Sequence, residues 1–126
     1  MLKNLLAVAL GGALGTALRF ILDYVSPPMG LPFGTSTIVI NLVGSCLLGF
    51  LVAGVWTKET TPDWLKAGVG PGLLGSFTTL SGLLLLGFAA ENSIQGLLVI
   101  FIGLLTSLLA ALFGIFAGTK LARKSS

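Results

Sequence analysis

Histidine is absent from this chain, cysteine occurs once, and four acidic residues stand against seven Lys and Arg. Each shortage excludes something. Without histidine there is no Ser/His or Cys/His relay and no imidazole metal site. The lone Cys46 supports neither a disulfide framework nor a thiolate cluster, and its apolar surroundings make it a packed core thiol. With 9% charged residues, a chain of 126 lacks the polar surface that a soluble domain needs. The formal net charge of +3 is too small for a nucleic-acid-binding face. No acid–base or nucleophile pair can be assembled, so an enzyme is not expected.

What the chain does have is apolar bulk. Hydrophobic residues make up 55% of it, and the mean hydropathy is +1.05. An integral membrane protein follows. A helix needs about 20 mainly apolar residues to cross the hydrocarbon core. Four stretches qualify, at about 2–25, 35–56, 64–90 and 93–119. Ser26-Pro27-Pro28 closes the first, the polar run from Thr57 to Asp63 closes the second, and the basic tail Lys120, Arg123, Lys124 follows the fourth. Loops this short leave no room for a second domain, so 1–126 reads as one all-α, four-span membrane domain. The first stretch is too long for a signal-peptide core and carries Arg19, so it is expected to be retained. Lys3, Lys58, Lys66, Lys120, Arg123 and Lys124 fall on one side, whereas Asp23 and Glu91 mark the other. The positive-inside rule then places both termini in the cytoplasm.

One stretch contradicts its own span. Residues 72–83 read Gly-Leu-Leu-Gly-Ser-Phe-Thr-Thr-Leu-Ser-Gly-Leu. Pro71 and the Gly75 region are expected to break the third helix, while Ser76, Thr78, Thr79 and Ser81 carry hydroxyls to membrane depth. Irregular backbone survives at that depth only inside protein or beside a polar cavity. An ion or substrate site is therefore expected here. In the second span Thr37, Asn41, Ser45 and Gly49 recur every four residues, giving a polar stripe on one helix face. The stripe has two readings: helix-to-helix hydrogen bonding, or a pore wall with the Asn41 amide donating to a passing anion.

Gly11, Gly12 and Gly15 in the first span, and Ala110, Gly114 and Gly118 in the fourth, read as close-packing surfaces. Arg19 either reaches to lipid headgroups or lines an anion-attracting vestibule. Thr106 and Ser107 either extend a hydroxyl track or satisfy carbonyls of their own helix. No carboxylate lies mid-membrane, since Asp23, Glu59, Asp63 and Glu91 all fall at span ends. Hydroxyls, one amide and free backbone suit an anion or a dehydrated small ion.

Three motifs now stand in order: Gly11-Gly12-Ala13-Leu14-Gly15-Thr16-Ala17-Leu18-Arg19, then Gly34-Thr35 through Asn41-x-x-Gly44-Ser45-x-x-x-Gly49, then Gly72-x-x-Gly75-x-Phe77-Thr78-Thr79-x-Ser81. Together they resemble the small bacterial fluoride channels of the Fluc, or CrcB, family, over the whole chain. The resemblance implies a dual-topology assembly of two antiparallel four-helix subunits with two narrow pores in the bacterial cytoplasmic membrane. It implies a structural sodium ion on the carbonyls of Gly75 and Thr78, where the broken third helices cross. It makes Asn41 the pore asparagine, Arg19 the vestibule arginine, and Thr79 and Ser81 the hydroxyl track. It implies passive export of fluoride that entered as HF and dissociated inside.

The chain departs from the family pattern at Leu80, Gly82, Leu83 and Leu86, where the family carries Phe, Thr, Phe and Glu. Leucine can narrow a pore but lacks the positive ring edge that faces fluoride. That loss, with the one-sided basic residues, leads to the expectation of a heterodimer with an oppositely inserted paralogue; a second copy of this chain is the alternative. Two rival readings remain. One is a non-conducting structural subunit. The other is a small multidrug-type exporter, which needs a first-span glutamate that this chain lacks.

Overall fold

A computed structural model of the protein describes residues 1–26, 34–57 and 60–124. Among these described residues, four helical passages are long and apolar enough to cross a membrane: Leu2–Val25, Thr35–Val55, Asp63–Phe88 and Ser93–Lys124. The described residues contain no strand. The chain is a multi-pass membrane protein. The first passage is one helix, α1 (Leu2–Val25), and the second is α2 (Thr35–Phe50) extended by a π-helical turn, Leu51–Val55. The third is composite: α3 (Asp63–Ala67), a π segment (Gly68–Leu74), α4 (Gly75–Phe77) and α5 (Leu80–Phe88). The last is a single long helix, α6 (Ser93–Lys124).

Burial runs opposite to that of a soluble protein. Large side chains such as Leu10 and Phe101 point outward, and the only buried hydrophobic side chains among the described residues are Ile40, Leu74 and Leu83. Glycines occupy the interior instead: Gly11 and Gly15 in α1, and Gly96, Gly103, Gly114 and Gly118 in α6. Lipid is as apolar as leucine, so helices gain little by hiding large side chains and gain more by bringing backbones together. Gly11 faces the backbone of Gly68, and Gly15 that of Leu73, so α1 lies flat on the π segment. Gly49 meets Ala111, Gly114 meets the Cys46 carbonyl, and Gly118 meets Phe50 and Gly54, which joins α2 to α6. Both glycine sets expected to pack do so. Leu83 on α5 packs over Gly103 of α6.

Three expectations about the elements need correction. The third passage is broken as expected, within residues 72–83, but neither at Pro71 nor at Gly75 itself. Pro71 sits inside the π segment, and Gly75 keeps helical dihedrals, φ −66° and ψ −30°. A wide i→i+5 turn absorbs the missing proline N–H without uncoiling the chain. The backbone leaves the helix at Thr78 (φ −73°, ψ 150°) and Thr79 (φ −147°, ψ 116°), then re-enters at Leu80. This passage also ends at Phe88, two residues before Ala90. Finally, α6 does not stop near Thr119 but carries the basic tail on to Lys124. Arg123 and Lys124 lie in its last turn, where cations complement the helix dipole. At 1.5 Å per residue the helix is roughly 48 Å long, well beyond the ~30 Å hydrocarbon core.

Candidate functional site

The break at Thr78–Thr79 strips backbone groups of their helical partners, and each has to be served again. Asn41 does most of this. Its Nδ2 donates to the Thr79 carbonyl at 3.0 Å, and the Thr79 N–H donates to its Oδ1 at 2.8 Å. The amide thus grips both polar groups of one extended residue, while the side chain is 6% exposed. The Thr79 hydroxyl caps α5 by accepting from the Gly82 N–H at 3.0 Å. The same oxygen shares a hydrogen bond with Ser81 Oγ at 2.9 Å. Upstream, the Thr78 N–H and hydroxyl both donate to the Leu74 carbonyl, at 2.9 and 3.0 Å, sealing the end of α4.

These diversions have a consequence for two carbonyls. In a continuous helix the Thr79 N–H would serve Gly75, and the Gly82 N–H would serve Thr78. Here the first donates to Asn41 and the second to the Thr79 hydroxyl. The Gly75 and Thr78 carbonyls therefore lose their helical donors. Among the described residues no group of three or more acidic, Cys or His side chains could hold a metal. A hard cation here would rest on such carbonyl oxygens, which suit it.

Helix α2 follows the break turn by turn. Gly44 leaves room for the Thr78 methyl and for the Phe77 ring, which lies 3.3 Å from where a Cβ would stand. Asn41 holds Thr79. Thr37 lies beside Gly82, its Cγ2 3.0 Å from the position of a Cβ there. Ser45, one turn past Asn41, is half-buried, and its hydroxyl makes no hydrogen bond among the described residues. Gly44 is the residue that sequence reasoning left without a role. Its spacing three after Asn41 in a polar stripe is the signal that could have found it.

The other positions separate. Arg19 is half-buried, with its guanidinium 5.8 Å from the Phe20 ring centroid. It follows by one turn Gly15, which packs on Leu73 and Phe77. Ser36 donates to Asp23 at 2.7 Å and ties the end of α1 to the start of α2, a link the spacing did not suggest. Of the three leucines, Leu80 is 56% exposed, Leu83 is 2% exposed against Gly103, and Leu86 packs on Gly34. Thr106 donates to the Ile102 and Gly103 carbonyls, at 2.8 and 3.1 Å, and Ser107 to Gly103 at 2.7 Å. Of the two roles open to Thr106 and Ser107, both hydroxyls take the local one.

The family model described as CrcB-like protein, Camphor Resistance (CrcB), matches residues 6–119. The chain is 46% identical over 82 residues to Fluoride-specific ion channel FluC 2 of Halalkalibacterium halodurans, covering 64% of this chain and 58% of that one. It is 40% identical over 83 residues to Fluoride-specific ion channel FluC of Shewanella halifaxensis, covering 64% of each. The match to these two relatives therefore spans less than two thirds of their length. Fluoride-specific ion channel FluC 1 of Rhodococcus jostii is 38% identical over 126 residues, 98% of this chain and 93% of that one.

Proposed function

We propose that this chain, which belongs to the CrcB-like family, is one subunit of a passive fluoride-selective channel that lowers cytoplasmic fluoride. The observation that carries this reading is the break in the third passage, held by Asn41 and edged with hydroxyls. A small anion stripped of water needs donors that do not themselves move. Threonine and serine hydroxyls on a fixed turn are such donors, and so is an amide with one N–H beyond that spent on Thr79. The pathway runs along Asn41, Thr79 and Ser81, flanked by Thr37 and Ser45, with Arg19 drawing anions toward it. A carrier coupled to protons would need a carboxylate within the membrane. Asp23, Asp63 and Glu91 instead stand at the ends of passages, and Glu59 lies outside the described residues.

The subunit is incomplete by itself. Gly75, Leu80 and Ser81 are exposed along the break, at a depth where polar backbone has to be covered by protein. An antiparallel partner would cover it. The basic residues favour one orientation, with both termini in the cytoplasm of a bacterial cytoplasmic membrane, so the partner is an oppositely inserted paralogue rather than a second copy. The numbered names FluC 1 and FluC 2 among its relatives agree with more than one such subunit per organism. The Gly75 and Thr78 carbonyls fit a structural sodium ion at the crossing, where its charge would hold the two breaks together. A second reading, a subunit whose own pore is closed, is favoured by Leu83 and Leu86 packing within the subunit.

Efflux from vesicles loaded with potassium fluoride tests these readings. The chain is reconstituted alone, then with an oppositely inserted paralogue, and each is compared with an Asn41→Ala variant. Flux in the pair that Asn41→Ala abolishes supports a conducting subunit. Flux in the pair that ignores the substitution supports the closed one, and no flux in either preparation rejects the channel.

A further inference from the structure

Past Gly15 the first helix loses the surface it lies on. Its earlier turns rest on the third passage, where Gly11 meets Gly68 and Gly15 meets Leu73, with the Phe77 nitrogen 3.1 Å from where a Cβ at Gly15 would stand. The third passage then leaves the helix at Thr78, and α5 goes to α6, with Leu83 over Gly103 and Gly87 against Gly96. Among the described residues the α1 backbone approaches neither α5 nor α6. Beyond α4, the helix left for α1 to meet is α2. No close glycine contact joins these two among the described residues.

A hydrogen bond between side chains joins them instead. Ser36 Oγ, in the first turn of α2, donates to Asp23 Oδ1 at 2.7 Å. Asp23 stands one turn past Arg19, a spacing at which opposite charges on one helix commonly pair. They do not pair here. The carboxylate is turned to α2, and the Arg19 guanidinium lies 5.8 Å from the Phe20 ring centroid. Ser36 directly precedes Thr37, where the polar stripe begins, and Asn41 anchors that same helix to Thr79. The bond thus links the turn after Arg19 to the helix that carries the stripe, at a level where close packing does not.

We infer that Ser36 and Asp23 form a clasp that fixes the end of α1 against α2, making Ser36 a positioning residue that acts through Arg19 at the mouth of the ion path. The part played by Arg19 rests on the channel reading above; the clasp itself does not.

Efflux tests the first part, in whichever preparation, single or paired, moves fluoride. Ser36→Ala should slow it about threefold to tenfold, the population shift that one lost hydrogen bond allows. Ser36→Thr keeps the donor and Asp23→Asn keeps an acceptor, so both should recover most of the rate. In an Asp23→Ala background, Ser36→Ala should change nothing further, because its partner is already gone. Arg19 attracts anions through charge, which salt screens. Wild-type efflux should therefore rise as an impermeant salt is withdrawn, and Ser36→Ala should flatten that rise. A general weakening of the fold would instead slow efflux alike at every ionic strength. Distances test the clasp without any flux. Nitroxides at Tyr24→Cys and Val39→Cys, both exposed, in a Cys46→Ser chain diluted into unlabelled chain, report the separation of the two helix ends. Its distribution should broaden in Ser36→Ala and narrow again in Ser36→Thr. An unchanged distribution in Ser36→Ala would overturn the clasp. A broadened one with wild-type efflux, or with an undiminished salt response, would overturn the action through Arg19. Wild-type chain that moves no fluoride in either preparation removes that action together with the channel, and the distances still decide the clasp.

Discussion

A single amide decides whether the broken passage is a site or a flaw. Asn41 spends one donor and its acceptor on Thr79, and both partners are backbone groups that no helix serves. Asn41→Leu would keep the volume and abandon both. Each buried backbone group left without a partner costs about 1–3 kcal/mol, so the variant, which abandons two, should lose roughly 2–6 kcal/mol of stability. Unfolding in detergent should show the loss, and amide exchange at Thr79 should rise with it. An unchanged transition with Thr79 still protected would mean that the break holds itself. Asn41→Asp probes the two bonds separately. A carboxylate can accept from the Thr79 N–H but cannot donate to its carbonyl, and it places a negative charge beside the proposed anion path. Its fluoride flux should fall further than its stability, so the ratio of the two losses separates the clamp from the pore wall.

At the scale of elements, glycines that look alike in sequence have different duties. A Cβ at Gly114 would run into the Cys46 carbonyl and come within 2.9 Å of the Phe50 nitrogen, both of them backbone and unable to swing aside. At Gly75 the nearest atom to a Cβ is 3.6 Å away, an ordinary contact. Gly114→Val should therefore cost about 1–3 kcal/mol or more by forcing α2 from α6. In the subunit without its partner, Gly75→Ala should leave the melting temperature within a degree or so of wild type, since exposed changes away from tight contacts do little. Equal losses at both positions would contradict the packing described. The four passages and their small-residue faces were legible because apolar length and glycine spacing are local quantities. The exit point of the chain from the third helix was not legible. Proline and glycine have the poorest helix propensities, so local preference points to Pro71 and Gly75. Yet a π segment accommodates the first, and the second stays helical. The actual exit, at Thr78–Thr79, depends on Asn41 being 38 residues earlier and on Gly44 leaving room beside it, a long-range match that no window of sequence contains. Leu83 and Leu86 read as pore positions by family pattern alone; their contacts with Gly103 and Gly34 within the subunit were not legible from any local window.

On the scale of the whole molecule, charge and polarity together set what the chain can assemble with. The last cations sit on the terminal turns of α6, carried past the hydrocarbon by a helix too long to end within it. Lys3 begins α1 and Lys66 lies in α3. Basic residues near span ends resist translocation, so a fluorescent protein fused after the tail should be bright and a periplasm-dependent phosphatase at the same point inactive. Substantial activity of both reporters would mean dual insertion and would remove the reason for a distinct partner. The converse experiment is sharper. Replacing Lys120, Arg123 and Lys124 with glutamine, and placing lysines in the loop that follows Asp23, should drive part of the population to insert in reverse. Inverted and upright copies could then pair across their exposed breaks. If the leucines at 80 and 83 still permit conduction, this balanced chain should show more fluoride efflux than the natural chain reconstituted alone. If it pairs, as crosslinking would reveal, yet conducts nothing, orientation is not the only thing that the proposed partner supplies, and Leu80→Phe with Leu83→Phe in the balanced chain then tests whether the aromatic edges are what it lacks.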